Sequence, residues 1–145
     1  MFKVNFFAPN TDYPFSIKYI RHKVFVDEQN VPEEEEFDGL DTISTQVLIC
    51  NDDLELGTCR IRKTENGIKL ERFAILKEYR GENAGMYLLN EVLKYLQENF
   101  ADESLIYLHA QEQVVNFYKK VGFETVGALF YECEIPHFKM ILKKK

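Results

Sequence analysis

The strongest periodic signal in the sequence lies between residues 84 and 100. Apolar side chains recur there every three or four residues, which predicts one amphipathic α-helix from Ala84 to Phe100. Its apolar stripe consists of Leu88, Leu89, Val92, Leu93, Leu96 and Phe100. The segment before it, from Ile68 to Leu76, has a period of two and is predicted to be a strand. In a regular strand, Glu71 would share one face with Phe73 and Ile75.

The same two periods, together with turn residues, predict the other elements. Further strands are expected at Phe2–Phe7, Ile43–Cys50, Leu54–Arg62, Ser104–His109, Phe123–Glu132 and His137–Leu142. A helix from Thr11 or Asp12 to about Gln29 would carry an apolar stripe of Phe15, Tyr19, Val24 and Phe25. A helix from Gln111 to Val121 would carry a stripe of Val114, Phe117, Tyr118 and Val121. Asn66-Gly67 predicts a type I′ hairpin turn.

This order of elements predicts one α+β domain over residues 1–145, with a mixed central sheet of about seven strands flanked by helices. The chain is 46% apolar and 29% charged, as is usual for a globular protein, and it lacks the apolar length of a membrane helix or signal peptide. The three cysteines argue against a disulfide framework and a zinc site, and the three histidines make any metal site unexpected. We therefore expect a cytoplasmic protein without a metal.

Charge is unevenly distributed along the chain. The net charge is −6, and the stretch from Val24 to Cys59 holds 11 acidic residues and no Lys or Arg. The rest of the chain carries 18 basic and 13 acidic residues. Such a division allows a negative surface for a cationic ligand beside a positive surface for an anion, although a solvated acidic loop would look the same. Nucleic acid is not expected as a partner, because no basic stripe with interleaved aromatic residues is present.

A loop of small residues joins the Ile68–Leu76 strand to the long helix. Its sequence is Tyr79-Arg80-Gly81-Glu82-Asn83-Ala84-Gly85. A helix that begins after such a loop can bind a phosphate, because its first backbone N–H groups are unpaired and carry partial positive charge. On its own the pattern is weak, since most loops of this kind are simple turns, and it matches neither a P-loop nor the dinucleotide fingerprint.

Several motifs in this order resemble the GNAT N-acetyltransferase superfamily. The loop Arg80 to Gly85 is similar to the acyl-CoA motif of that family, and Asn116 to Phe123 is similar to its Tyr-x-x-x-Gly-Phe signature. Arg21 to Pro32, Leu108 to Gln111 and Ile135 to His137 narrow the resemblance to an ElaA-like branch. The resemblance covers nearly the whole chain. Departures are Asn83, where the motif usually has Gly, Glu82, where a basic residue is common, and Glu134, where the branch often has Gly.

The resemblance implies direct transfer of an acetyl group from acetyl-CoA to an amine in a ternary complex. It places the cofactor on the backbone of Phe73, Ala74 and Ile75, on the loop residues Arg80, Gly81, Glu82, Asn83, Ala84 and Gly85, and on Asn116 and Tyr118. Tyr118 would give a proton to the leaving thiolate. An alkyl ammonium must also lose a proton before it can attack; Glu71 is the first choice of base, and His109 or His137 are alternatives.

The acidic segment suggests a cationic acceptor, either a small amine or a Lys-bearing peptide. We expect Phe25, Glu28, Gln29, Glu36 and His137 to bind it, and a homodimer is left open. Each catalytic assignment has a structural alternative: Glu71 could pair with a neighbouring cation, and Tyr118 could be a core residue. Two other functions also remain open: a CoA-binding sensor that lacks turnover, and an interaction domain without a CoA site.

Overall fold

The computed structural model describes residues 1–100 and 105–142, and within them the chain forms a mixed α+β fold. The strands are β1 (Phe2–Phe7), β2 (Thr45–Asn51), β3 (Leu54–Thr64), β4 (Gly67–Ile75), β5 (Ile106–Gln111), β6 (Phe123–Glu132) and β7 (Ile135–Leu142). The α-helices are α1 (Ser16–Arg21), α2 (Glu33–Glu36), α3 (Ala84–Asn99) and α4 (Val115–Lys119). A π-helical segment, His22–Glu28, continues α1, and 3₁₀ turns cover Lys77–Tyr79 and Glu112–Val114.

The strands form a single sheet in the order β1-β2-β3-β4-β5-β7-β6. Neighbouring strands run antiparallel except β4 and β5, which are parallel. The registered pairs between β4 and β5 join Ile68–Leu70 to Ile106–Leu108 and, among the described residues, extend no further. The sheet therefore splits in its middle. The predicted seven-stranded mixed sheet of one α+β domain is confirmed.

The sheet is covered on both faces. The helix α3 packs on one face, with Leu88, Leu89, Val92 and Leu96 buried against strand residues such as Ile61 and Leu70, as its predicted stripe requires. The helix α1 packs on the opposite face through Ile17 and Ile20, together with Val24 of the π-helical segment. These two layers fix the positions of the loops at the split.

The first helix is shorter than predicted and buries a different stripe. It begins at Ser16, after a non-helical segment that includes Pro14, and its buried residues are Ile17, Ile20 and Arg21. The predicted stripe is wrong at two positions, because Phe15 is 76% exposed and Tyr19 is 48% exposed. The change to π-helical winding after Arg21 alters the phase of the apolar pattern, which a helical period of 3.6 cannot anticipate.

A bulge in β4 overturns the predicted faces of that strand. Arg72 has φ of 54°, and the register with β3 shifts between the Thr58–Ala74 and Arg60–Glu71 pairs. An extra residue reverses the alternation, so Phe73 joins the α3-facing core and Ala74 joins the α1-facing core. The expectation that Glu71 shares a face with Phe73 and Ile75 is therefore wrong.

The two short hairpins have different turns, and only the first was predicted from the sequence. Between β3 and β4 the hairpin forms, but positive φ falls on Gly67, at 132°, and neither Glu65 nor Asn66 has it, so the turn is not type I′. Between β6 and β7, Cys133 and Glu134 have φ of 49° and 65°, as a type I′ turn requires. The observed φ explains why Gly would suit position 134.

The remaining boundaries differ by a few residues. The strand β5 runs to Gln111 rather than His109, and the predicted start at Ser104 lies outside the described residues. The α-helical part of the second predicted helix is only Val115–Lys119, so Val115 and Tyr118 are buried while Val114 is exposed. Tyr118 keeps its predicted place facing the interior.

Candidate active site

A cleft of about 1110 Å³ opens where β4 and β5 separate. One wall comes from the π-helical segment and α2, the floor from β4, and the opposite wall from β5 and the β6–β7 hairpin. The start of α3 and the helix α4 close one end through Gly85 and Phe117. Elements distant in sequence thus meet at the split of the sheet.

The backbone of β4 is open towards the cleft. Beyond Leu70, the edge of β4 that faces β5 has no registered strand partner among the described residues. Phe73, Ala74 and Ile75 lie on this stretch and line the cleft. Because buried backbone N–H and C=O groups require partners, an extended ligand with amide groups would complete this edge.

The loop before α3 has the backbone expected for an anion site. Asn83 adopts the left-handed conformation, with φ of 68°, at the residue immediately before Ala84, the first residue of the helix. Asn is among the few non-glycine residues that adopt this conformation readily. Asn83 makes no side-chain capping bond to the helix, so the first amides of α3 are left to solvent or a ligand. These amides carry partial positive charge next to the cleft.

Gly85 lies in the first turn of α3 with room for a small side chain. A Cβ atom on Gly85 would lie 3.5 Å from the Phe117 ring and 3.7 Å from Ile75, which is ordinary van der Waals contact. The protein's own packing therefore does not require glycine here, and close approach of a ligand to the backbone would account for it.

The structure brings only part of the predicted cofactor set to the cleft. Gly81, Asn83 and Gly85 line it, as does Met86, which the sequence did not single out. Ala84 is buried beneath the loop, whereas Glu82 and Asn116 are exposed outside the cleft lining.

Arg80 is held by an ion pair across the mouth of the cleft. Its guanidinium donates two hydrogen bonds to Glu28, at 2.6 and 2.8 Å, and a third to the carbonyl oxygen of Ile75 at 2.9 Å. Hydrogen bonding from Arg80 lowers the pKa of Glu28. The pair ties the π-helical segment to the loop before α3.

Tyr118 points into the cleft from an apolar setting. Its ring lies edge-on to Phe73, with 6.0 Å between centroids, and edge-on to Phe123 at the same distance. Among the described residues its hydroxyl has no hydrogen-bond partner. Burial raises the pKa of the Tyr118 hydroxyl, and a phenol is protonated at neutral pH even at its ordinary pKa of about 10.

Glu71 is enclosed by cations. It accepts hydrogen bonds from Arg60 at 2.7 Å and Arg62 at 2.8 Å, and Lys69 lies 3.4 Å away. Burial alone would raise its pKa, but hydrogen bonding from Arg62 and the charges of Arg60 and Lys69 lower the pKa to about 2. A carboxylate with this pKa is a weak base at neutral pH. The structure therefore argues against Glu71 as the proton acceptor and favours its structural alternative.

Much of the acidic segment is also ion-paired. Arg21 and Arg60 are completely buried, at 0% exposure. Arg21 bonds Glu36 at 2.9 Å, Arg60 bonds Asp38 at 2.9 Å, and Arg72 bonds Glu36 at 3.0 Å. We call this set the arginine network; it comprises Arg21, Arg60, Arg62, Arg72, Glu36, Asp38, Asp41 and Glu71. Glu36, predicted to bind the acceptor, is mainly a structural member of the network.

The opposite wall holds a second charged group, the His–Glu–His cluster of His109, Glu132 and His137. The Nδ1 atom of His109 lies 2.9 Å from Oε2 of Glu132, and Nε2 of His137 lies 3.6 Å from its Oε1. Hydrogen bonding from His109 lowers the pKa of Glu132. Both histidines were predicted as candidate bases, but no sequence motif marked Glu132. The type I′ turn at Cys133 and Glu134 places Glu132 opposite Ile135, two residues before His137.

Two further predicted acceptor residues lie between these walls. Gln29 accepts a hydrogen bond from Gln111 at 2.8 Å, which joins the π-helical segment to the end of β5. Phe25 lines the cleft nearby. In the part of the chain that the structure describes, no group of three His, Cys, Asp or Glu side chains is placed to hold a metal ion. In the same part, no helix has the length and apolarity needed to cross a membrane.

A sheet split between β4 and β5, with a helix N-terminus at its mouth, is the arrangement that the resemblance to acyl-CoA-dependent transferases implies. Comparison with known proteins identifies the family: residues 18–144 match the model of the acetyltransferase (GNAT) domain. The chain therefore belongs to the GNAT acetyltransferases, and the resemblance of its motifs is confirmed. Acyl-CoA-dependent N-acyl transfer, with acyl-CoA as co-substrate, is the activity of this family.

Individual relatives agree with this assignment. The chain is 37% identical over 126 residues to an uncharacterized N-acetyltransferase of Bacillus subtilis, YjcF, covering 85% of this chain and 87% of YjcF. It is 29% identical over 130 residues to protein ElaA of Escherichia coli, covering 87% of this chain and 84% of ElaA. The crystal structure of Escherichia coli ElaA has a TM-score of 0.85 at 27% identity, covering 99% of this chain and 100% of that one.

The fold also occurs in a structure that contains acetyl-CoA. A GNAT family acetyltransferase from Elizabethkingia anophelis, with acetyl-CoA bound, has a TM-score of 0.67 at 14% identity, covering 97% of this chain and 94% of that chain. At this identity the likeness concerns the fold alone.

Proposed function

We propose that the protein transfers an acetyl group from acetyl-CoA to a primary amine by direct attack in a ternary complex. The observation that carries this proposal is the convergence of three features on one cleft. These are the unpaired edge of β4, the left-handed Asn83 before α3, and the hydroxyl of Tyr118. Each feature answers a different requirement of acyl transfer.

In this proposal the chain holds acetyl-CoA at two places. The first amides of α3, with Gly85 allowing close approach, bind the pyrophosphate. The open backbone of Phe73 to Ile75 pairs with the amide groups of the pantetheine arm and donates to the thioester oxygen as it gains charge. Tyr118, whose phenol is protonated at neutral pH, donates its proton to the departing thiolate.

We further propose that the acceptor is cationic. Of the six carboxylates that line the cleft, Glu28, Glu36, Asp38 and Glu71 are paired with arginines. Glu35 and Glu132 also line it, and among the described residues neither has an Arg or Lys partner. Two such carboxylates on opposite walls would favour an ammonium group on a small amine or a Lys side chain, with Phe25, Gln29 and His137 beside it. The proposal includes a cytoplasmic location and leaves a homodimer open.

The proposal is tested by combining thermal unfolding with release of free thiol. Acetyl-CoA at about a hundred times its dissociation constant should stabilise the protein by about 2.7 kcal/mol. Thiol release should then depend on addition of an amine from a panel of polyamines, aminoglycosides and Lys-bearing peptides. Stabilisation without turnover for any amine would favour the CoA-binding sensor. No stabilisation would leave only an interaction domain.

Gly85→Ala tests the placement of the pyrophosphate without disturbing the protein. The added Cβ would contact Phe117 and Ile75 at ordinary distances, and alanine favours a helix over glycine by about 0.5–1 kcal/mol. The variant should therefore melt no lower than wild type yet bind acetyl-CoA more weakly by calorimetry. Unchanged affinity would place the phosphates elsewhere. Gly127→Ala, in β6 outside the cleft, is the control for an effect of stability alone: its φ of 80° makes alanine strained, so it should melt lower than wild type yet bind acetyl-CoA with unchanged affinity.

A further inference from the structure

The geometry of the His–Glu–His cluster points to a specific proton acceptor. We propose that His109 takes the proton from the acceptor ammonium through its Nε2 atom, and that Glu132 is the positioning residue that holds His109 in the required tautomer. This inference rests on the proposed N-acetyltransferase function and adds the role of Glu132, which no motif in the sequence indicated.

The contact between Glu132 and His109 determines which nitrogen is free. An ionised carboxylate only accepts hydrogen bonds, so at 2.9 Å from Glu132 the Nδ1 atom of His109 must carry a hydrogen. In neutral His109 the Nε2 atom is then an acceptor. A carboxylate that orients an imidazole and stabilises its protonated form acts in the same way in hydrolytic triads.

The second histidine is fixed by a different contact. Nδ1 of His137 lies 2.7 Å from the carbonyl oxygen of Ile135, so it is the donor, and Nε2 faces Glu132 at 3.6 Å. The Phe130 ring packs near both imidazoles, with centroid distances of 5.0 Å to His109 and 5.9 Å to His137. These contacts restrict both rings. Glu132 is thereby confined between two restrained imidazoles rather than left as a free surface carboxylate.

The charges around His109 permit this role. Glu132 is the acidic group in contact with His109; Lys139 lies opposite His109 in the β5–β7 register, with its ammonium 5.3 Å from the Tyr107 ring. Lys69 of β4 acts on Glu132 through its charge but bonds Glu71. His109 lines the cleft and is partly exposed, so its free nitrogen is open to a ligand.

The ammonium gives one proton to Nε2 of His109, and the resulting amine attacks the thioester carbon, forming the C–N bond. As the C–S bond breaks, Tyr118 gives its proton to the thiolate sulfur, and the phenolate regains a proton from the nitrogen of the new amide. The imidazolium, stabilised by Glu132, finally releases its proton to solvent. The products are the N-acetyl amine, free CoA and one proton.

Two acceptors that differ in basicity test the inference. The best alkylamine of the panel is compared with its difluorinated analogue, in which two fluorine atoms on the carbon next to the aminomethyl group lower the pKa of the ammonium. Both are assayed at a pH at which the analogue is largely unprotonated and the alkylamine is still protonated. His109→Gln should lower kcat/KM for the alkylamine by about 10²–10⁴-fold, the usual contribution of a general base. The analogue should lose less than about tenfold, because it needs no initial deprotonation.

Glu132→Gln should show the same selectivity to a smaller degree. It should lower kcat/KM for the alkylamine by about 10–10²-fold with little effect on the analogue. The acidic limb of its pH–rate profile should move to lower pH, because the imidazolium has lost its carboxylate. KM for acetyl-CoA should not change. Glu134→Gln removes the same charge from the same hairpin outside the cleft and is the matched control.

The results distinguish a failure of the role assigned to Glu132 from a failure of the proposed acetyl transfer. Equal losses for both acceptors in Glu132→Gln, with an unmoved pH profile, would make Glu132 merely structural and overturn the inference while acetyl transfer stands. Wild-type protein that acetylates neither amine would overturn the proposed function and the inference with it. If Glu132→Gln melts well below wild type, Glu132→Asp is the second variant, because it keeps the carboxylate. It should restore both the melting temperature and the activity towards the alkylamine. A folded Glu132→Asp protein that does not regain this activity also counts against the inference.

Discussion

The two walls of the cleft both carry carboxylates, but their neighbours give them different chemistry. In the arginine network, Glu71 has three cationic partners within 3.4 Å. In the His–Glu–His cluster, Glu132 contacts two imidazoles and, among the described residues, no guanidinium or ammonium group. A permanently charged guanidinium fixes a carboxylate in one ionisation state, whereas an imidazole can share a proton with it. The nature of the partner thus separates a structural carboxylate from one that can serve proton transfer.

The pairing with arginines also explains why the acidic segment has mainly a structural role. Glu36, Asp38 and Asp41 neutralise Arg21, Arg60 and Arg72, and this holds α2 against the sheet. The segment therefore builds one wall of the cleft. Only a minority of its charges remain to attract an acceptor.

The largest effect is expected at Tyr118, which lies between the two walls. Tyr118→Phe should reduce kcat by about 10²–10⁴-fold, because the thiolate loses its general acid, while acetyl-CoA affinity measured by calorimetry stays close to wild type. Tyr107→Phe is a matched control, because Tyr107 does not line the cleft and its hydroxyl oxygen lies 2.7 Å from the hydroxyl oxygen of Thr64. The substitution should cost about 1 kcal/mol of stability and leave the activity unchanged. If Tyr118→Phe has an unaltered kcat while chemistry is shown to limit the rate, Tyr118 is a core residue and not the general acid.

Arg60→Met should break the arginine network. The substitution leaves Asp38, Asp41 and Glu71 without the guanidinium they share, and breaking a buried pair costs about 3–5 kcal/mol. Urea denaturation measures this loss directly. On the same strand, Lys63→Met removes only an exposed cation over the Phe100 ring and should cost at most about 1 kcal/mol. Similar losses for the two variants would contradict the structural role of the network.

Glu71→Gln should change how the free energy of unfolding depends on pH. The pKa of Glu71 is lowered from 4.5 to about 2 in the folded protein, so its carboxylate stabilises the fold fully above pH 4.5 and loses this contribution as the pH falls towards about 2. A shift of this size corresponds to about 3 kcal/mol. Wild type should therefore be more stable than Glu71→Gln at neutral pH, and the gap should close in acid. A gap that does not depend on pH would contradict the assigned ionisation.

The sequence predicted most of the fold because the periods that define it are local. The helix α3 begins at Ala84 as predicted, since its apolar stripe and the preceding small residues are both read directly from the chain. The faces of β4 could not be predicted, because no local pattern marks the bulge at Arg72, whose side chain contacts Glu36 and Asp38, more than thirty residues away. Glu132 was missed for a similar reason: its contacts with His109 and His137 depend on the pairing of both β5 and β6 with β7.

Asn83→Gly concerns the open end of the cleft. Asn83 holds a left-handed conformation that glycine adopts without cost, so the variant should unfold at an unchanged or slightly higher temperature, with a gain of up to about 1 kcal/mol. Acetyl-CoA should bind at least as tightly as in wild type, because no side chain crowds the backbone. Clearly weaker binding in titration calorimetry would show that the Asn83 side chain itself contacts the cofactor.

The smallest effect is expected from the acidic segment, and it tests how much of that wall guides the acceptor. Glu35 lines the cleft, whereas Glu34, its neighbour on α2, lines a separate groove beside His22 and Phe37. An exposed charge contributes about 0.2–1 kcal/mol, so Glu35→Gln should raise KM for a cationic acceptor by about one and a half- to fivefold and weaken its salt dependence. KM for acetyl-CoA should stay constant, and Glu34→Gln should change neither value. Equal effects of the two substitutions would mean that the segment acts only through the net charge of the protein, and a cationic acceptor would then rest on Glu132 alone.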